Sequence, residues 1–210
     1  MKEDILEQVV DDWFLSQDGV FTKHNVKFRP SEGHKDYQKS ADSSFSDIDV
    51  LAYNILAKGY DRVSAVTCKS WQSGFNPEWW ARNLKTNPDA SISGRSAWKF
   101  FRELVVPKWT DAFVQAVRSQ TGQSRFTYYV VCARLYGNTN KLVFEANRDF
   151  KDAFDRCGAN VRIRIRTFKE LYNDYFSRVA DNPRTTLEAT QVGRLLQLIK
   201  ASGVAEASET

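Results

Sequence analysis

Two apolar runs that each end in charge constrain this chain most. Ser46-Asp47-Ile48-Asp49-Val50-Leu51-Ala52 and Val63-Ser64-Ala65-Val66-Thr67-Cys68-Lys69-Ser70-Trp71-Gln72 both read as β-strands, and each places ionisable side chains where apolar ones belong. The glycine-bearing break between them, Ala57-Lys58-Gly59, sets the turn. A hairpin folded there puts Asp49 opposite Thr67 and Asp47 opposite Lys69. Because residues i and i+2 of a strand share a face, the four side chains crowd one patch. Two carboxylates beside an ammonium suit a hard divalent cation with a neighbouring proton handler. A cross-strand ion pair on a solvated sheet face, contributing about 1 kcal/mol or less, accounts for the same residues equally well.

The chain has 210 residues, enough for one substantial domain and short for two. With 14 Phe, 8 Tyr and 6 Trp it has ample material for a core. Its three cysteines, Cys68, Cys132 and Cys157, are odd in number and form no CxxC pair, which argues against a disulfide framework or a zinc ribbon. A reducing, cytoplasmic location is the expectation. The N-terminus carries no apolar signal-peptide core, and no run approaches the length of a membrane span, so no membrane association is expected. A net charge of +4 permits nucleic-acid binding without demanding it.

Along the chain, Ile5, Leu6, Val9, Val10, Trp13 and Phe14 recur at helical spacing over residues 3–17, and Asp18-Gly19 stops the helix. Val20–Phe28 is a strand closed by Pro30. Residues 31–46 form a polar, mobile loop, a candidate flap ordered by substrate. Asn76-Pro77 opens a short helix through Leu84. A second helix carries Trp98, Phe100, Phe101 and Leu104, and Pro107 separates it from a third carrying Trp109, Phe113 and Val117. Strands at Arg125–Cys132 and Val161–Arg166 bracket a helix over 145–157 that ends at Gly158. Helical patterns resume over Phe168–Val179 and Leu187–Lys200, before a small-residue tail at 205–210. This order predicts an α/β fold, a mixed central sheet flanked by helices in a single domain over 1–204. No glycine-rich phosphate loop is present.

With Glu7 in the opening helix (EQVVDDWFLSQDGVF), Asp49 in SDIDVLA and Lys69 in TCKSWQ, the chain resembles the restriction-endonuclease-like nucleases of the PD-(D/E)xK superfamily. Within it the chain is most similar to Mrr-like restriction enzymes. The match covers roughly residues 1–75, and the later strands agree in order. The resemblance implies a Mg²⁺- or Mn²⁺-dependent endonuclease that cleaves DNA in restriction, defence or repair, and it allows a homodimer. Asp49, Thr67 and the Cys68 carbonyl take the places of metal ligands, Lys69 that of the residue aligning or deprotonating the attacking water, and Glu7 that of an acid acting through water. Thr67 departs from the pattern, since a hydroxyl replaces the first acid of the triplet and removes one negative charge. Asp47, Glu7 or Glu78 supplies the missing acid, or the site works with weaker metal affinity, or catalysis is lost and the fold is kept for binding nucleic acid or a protein partner.

Further candidates lie around this frame. Gln72 is placed to orient a water or a phosphate. Arg162, Arg164 and Arg166 project from one face of a strand about 7 Å apart, a spacing that matches successive phosphates; a solvated edge strand whose charge deters aggregation fits them as well. Trp71 and the Trp79-Trp80 pair are candidates for base stacking, although aromatics at helical spacing are more often core. Lys27, with Lys23, Lys35 and Lys39, forms a candidate nucleic-acid rim or simply a solvated surface. His24 and His34 are far apart and support neither a metal site nor a catalytic triad.

Overall fold

A computed structural model describes residues 4–86, 89–181 and 191–202. The elements in chain order are α1 (Ile5–Leu15), β1 (Val20–Phe28), α2 (Lys39–Asp42), β2 (Ser46–Asn54), β3 (Val63–Lys69), α3 (Pro77–Thr86), β4 (Ser91–Ile92) and β5 (Arg95–Ser96). There follow α4 (Arg102–Val105), α5 (Pro107–Thr121), β6 (Arg125–Cys132), α6 (Leu142–Glu145), α7 (Arg148–Arg156), β7 (Asn160–Thr167), α8 (Phe168–Asp181) and α9 (Gln191–Ala201). Five strands form one mixed sheet in the order β1-β2-β3-β6-β7, and β4-β5 is a separate two-stranded ribbon. The first three strands are antiparallel neighbours, whereas β3, β6 and β7 run parallel. The α/β fold with a helix-flanked mixed sheet is therefore as the sequence predicts.

Helices cover both faces. The larger core joins the sheet to Trp80 of α3, Leu104 of α4, Trp109 and Phe113 of α5, Phe144 of α6 and Phe154 of α7. On the other face, α1 presents Leu6, Val9, Val10, Trp13 and Phe14 to Val50, Ala52 and Val66, joined there by Leu171 and Tyr175 of α8. The N-terminus of α1 is fixed by Asp4, whose carboxylate accepts the Leu6 N–H at 2.8 Å.

The hairpin register follows the position of its turn. Val50 pairs with Val66, Leu51 with Ala65 and Tyr53 with Val63, the register the turn implies, but the expected pairs Asp49–Thr67 and Asp47–Lys69 are not part of the ladder. The β2–β3 ladder stops at Val50–Val66, although β2 extends back to Ser46 and β3 on to Lys69. Beyond that pair β3 keeps its parallel partner β6 as far as Lys69–Cys132, and β2 keeps β1 as far as Phe28–Ser46. The two strands part company where the charged residues begin.

Four segments differ from expectation. The polar stretch 31–46 contains α2, and Asp42 at its end is 1% exposed, accepting from Lys108 Nζ (2.6 Å), Trp109 Nε1 (3.1 Å) and the Gln38 N–H (2.7 Å). A buried carboxylate with three donors ties this stretch to α5. The helix expected around Trp98–Leu104 is interrupted at Phe101, whose backbone (φ −144, ψ 47) leaves the helical region and turns its ring into the core against Phe75, Trp80 and Phe144. The helix expected over 145–157 starts three residues later, at Arg148, because the Asn147 side chain accepts the N–H groups of Asp149 and Phe150 and caps α7 there. The last helix runs Gln191–Ala201; residues 187–190 and the tail 205–210 lie outside the described residues.

Candidate functional site

The side-chain alternation of β2 breaks at Asp49. Val50 belongs to the core under α1 and Ile48 to the opposite one, although the two are separated by a single residue. The neighbouring strand breaks at the same level. Pairing runs His24–Val50 and then Val26–Ile48, skipping Asn25, which has φ 52, a conformation that asparagine tolerates better than most residues. His24 reaches toward α1, 3.0 Å from Asp11, whereas Val26 lies in the opposite core. The consequence is local and chemical: Asp49 belongs to neither face, and its Oδ2 accepts the Cys68 backbone N–H at 2.5 Å, spanning the gap between the parted strands. One carboxylate oxygen is thereby oriented by β3 itself.

On β3, Lys69 Nζ donates to Thr67 Oγ1 at 2.8 Å and stands 5.1 Å from the centre of the Phe101 ring. Thr67 is buried, so its hydroxyl serves as a fixed acceptor that holds the lysine head. Burial pushes the Asp49 carboxyl above its ordinary value, and Lys69 and the Cys68 N–H pull the other way. Burial, followed by the charges of Asp49, Asp4 and Asp47, pushes Glu7 on α1 from 4.5 to about 7. The charges of Asp4, Asp47 and Asp49 therefore bear on Glu7, and those of Asp4 and Asp47 on Asp49. Asp4 is also tied to β3, accepting from Ser70 Oγ at 2.7 Å. Cys68 lies in the same field, its thiol pushed well up by burial and by Asp49 and Glu7.

Sequence reasoning missed Glu103. It sits in α4, is fully buried and accepts the Tyr128 hydroxyl of β6. Burial raises its pKa, the Lys69 charge lowers it, and Asp49 raises it further. A charge inside the apolar run FFRELVV is the same signal that singled out Asp49 and Lys69, and it would have found this residue.

The remaining sequence candidates fall elsewhere or are already engaged. Asp47 is paired with Lys27 at 2.6 Å, so both are drawn to the rim of the site. Glu78 is held by Arg82 (2.9 Å) and Asn138 (3.0 Å). Gln72 is exposed, and its carbonyl accepts from Arg134 Nε at 3.2 Å. Trp71 stacks on Trp80 with ring centres 5.1 Å apart and packs against the larger core. Arg162, Arg164 and Arg166 do share the face opposite Val161, Ile163 and Ile165, lining a groove of about 390 Å³ with Lys141. Each has an acid: Arg162 pairs with Asp61, Arg164 with Glu145 (3.2 Å), Arg166 with Asp174 (3.8 Å), and Lys141 with Glu170 (2.5 Å). Their charge is neutralised within the molecule.

The donor chemistry at Asp49 and Glu7 is that of a hard-cation site, with carboxylate oxygens whose mutual repulsion a cation relieves. Among the described residues no group of three His, Cys, Asp or Glu side chains is arranged to hold a metal ion. No described helix is long and apolar enough to cross a membrane. Neither family models nor curated proteins nor solved structures give a match to this chain.

Proposed function

We propose that this chain is a metal-dependent nuclease of the restriction-endonuclease-like superfamily, hydrolysing DNA phosphodiester bonds in the cytoplasm in restriction, defence or repair. The observation that carries the reading is the Asp49 carboxylate anchored on the Cys68 N–H where β2 and β3 separate, next in sequence to Lys69, whose charge acts on it. The helix-borne Glu7, coupled to Asp49, supports it further.

In this reading Asp49 and Glu7, with the Cys68 carbonyl, would hold Mg²⁺ or Mn²⁺. Such an ion, when bound, acidifies a water and offsets negative charge on the phosphate. The chain's own residues do the rest. The bond from Cys68 keeps the Asp49 carboxylate in one orientation, so the site is formed before substrate arrives. Lys69, steadied by the Thr67 hydroxyl, offers an ammonium that aligns the attacking water or meets the charge developing on the phosphate oxygens.

Thr67 supports a second reading, a nuclease-derived module that binds nucleic acid or a protein partner without cleaving. Incubation with supercoiled plasmid, single-stranded DNA and RNA in Mg²⁺ or Mn²⁺ separates the two. Cleavage by the parent and not by Asp49→Ala supports the nuclease. A folded protein that cleaves none of them, and that gains metal binding on Thr67→Glu, supports the module.

A further inference from the structure

Strands β3 and β6 leave the sheet together, Lys69 beside Cys132. The loops that follow them are bonded to each other. The Phe75 N–H donates to the Arg134 carbonyl (2.8 Å) and the Tyr136 N–H to the Phe75 carbonyl (3.1 Å). Arg134 Nε donates to the Gln72 carbonyl (3.2 Å), and Asn138 reaches Glu78 (3.0 Å). Gly74 makes the closest approach possible: at φ 88, a Cβ there would lie 2.8 Å from the Arg134 carbonyl and 3.3 Å from the Tyr136 ring. Gly137, at φ 66, leaves equally little room beside the Asn76 side chain. These ties make one rigid double loop at the carboxyl ends of parallel strands, where open α/β sheets place their ligand crevices.

The double loop displays two groups outward. Tyr136 is 45% exposed although its backbone N–H is held by the Phe75 carbonyl. Arg134 commits its Nε to Gln72, and its two terminal nitrogens have no carboxylate partner among the described residues. This contrasts with the β7 arginines, each of which has its own acid. An unpaired guanidinium beside a presented aromatic ring is the chemistry of a phosphate next to an unstacked base.

We propose that the double loop Ser70–Asn76 and Arg134–Asn138 binds a single-stranded nucleic-acid segment, Arg134 taking a backbone phosphate and Tyr136 stacking a base. The proposal deepens the nuclease reading by naming its substrate class, and it rests on that reading only for the location of the bond to be cut. A duplex hides its base faces and calls for a row of free cations along its backbone; the row this fold has on β7 is neutralised internally. Because the loops are already locked, binding loses little entropy in ordering them.

Fluorescence anisotropy tests this in EDTA, in an Asp49→Ala background, with a labelled DNA oligonucleotide, its RNA counterpart and a DNA hairpin duplex of the same sequence. The single strand, as DNA or RNA, binds more tightly than the duplex, and the better arm identifies the sugar. Arg134→Ala and Tyr136→Ala each weaken single-strand binding about tenfold. Tyr136→Phe keeps the stack and the affinity, which separates stacking from any loss of loop structure. Arg134→Ala also lowers the slope of log affinity against log salt by about 0.7. Duplex binding at least as tight as single-strand binding overturns the proposal, as does parental affinity in both alanine variants. Unaltered binding in those variants, alongside cleavage by the parent with Asp49 intact in Mg²⁺, would remove this surface and leave the nuclease standing. The predicted binding pattern in a protein that cleaves nothing would do the reverse.

Discussion

Replacing Glu7 with glutamine removes a carboxylate perturbed by burial and by its acidic neighbours, and the structure gives both the sign and the rough size of the effect. Glu7 rises from 4.5 to about 7, through burial first and then the charges of Asp49, Asp4 and Asp47. A carboxyl whose folded pKa lies above its unfolded one holds its proton more tightly in the native state. Its stabilising contribution is therefore complete below pH 4.5 and is lost as pH rises through about 7. At about 1.4 kcal/mol per pH unit the whole change corresponds to about 3 kcal/mol. Glu7 is only partly buried, and screening by water reduces this to about 1–2 kcal/mol. Glu7→Gln abolishes that loss, so the variant and the parent melt together at pH 4, and the variant melts higher at pH 8.5. For a domain of this size the difference is about 3–6 °C. Thermal unfolding followed by circular dichroism in EDTA, at half-unit pH steps, reads it directly. The gap should open between pH 4.5 and 7 and close when Mg²⁺ is added, because a cation stabilises the parent's carboxylates. A gap of equal size at pH 4 and pH 8.5, or a variant less stable than the parent at high pH, would refute the argument that burial, reinforced by the neighbouring carboxylates, disfavours the charged form of Glu7.

Three further outcomes follow from other contacts. Asp42→Ala strands Lys108 and Trp109 Nε1 in a buried environment and should cost about 3–5 kcal/mol in urea unfolding; a loss under 1 kcal/mol would mean the stretch 31–46 is not anchored there. Glu103→Gln keeps an acceptor for the Tyr128 hydroxyl and should unfold within about 1 kcal/mol of the parent, whereas Glu103→Leu leaves that hydroxyl unpaired and should cost about 1–3 kcal/mol. Equal losses in the two variants would contradict the assigned bond. Gly74→Ala places a methyl group against the Arg134 carbonyl at a positive φ and should lower stability by more than about 1 kcal/mol; a neutral effect would show that the double loop is not rigid.

Much of the frame is legible in the sequence because it depends on local pattern. The turn at Ala57-Lys58-Gly59 is enough to set the register that pairs Val50 with Val66, since a strand's period leaves few choices once the turn is placed, although the Asp49–Thr67 pair expected next does not form. Val20–Phe28 and Arg125–Cys132 coincide with β1 and β6 for the same reason. What local pattern cannot reveal is a partner distant in sequence. Asp42 looks like an ordinary loop residue until Lys108 and Trp109, from a helix far along the chain, close over it. The arginines of β7 look like free charge until Asp61, Glu145 and Asp174 meet them from three other segments. The break at Phe101 is likewise tertiary, as an aromatic-rich stretch gives up helical backbone to seat one ring in the core. At Asp49 the sequence shows a charge in a strand. It does not show that Asn25 on the neighbouring strand takes a positive φ, or that the alternation reverses there and turns the carboxylate into the gap.

The account stands or falls on whether Asp49 and Lys69 cut a phosphodiester bond. The direct measurement is a time course of supercoiled plasmid and single-stranded DNA cleavage in Mn²⁺, comparing the parent with Asp49→Asn and Lys69→Ala after each variant is shown by circular dichroism to be folded. The account predicts cleavage by the parent and a loss of about 100-fold or more in each variant. Cleavage that persists undiminished in both folded variants, or a folded parent that leaves every substrate intact, would contradict it.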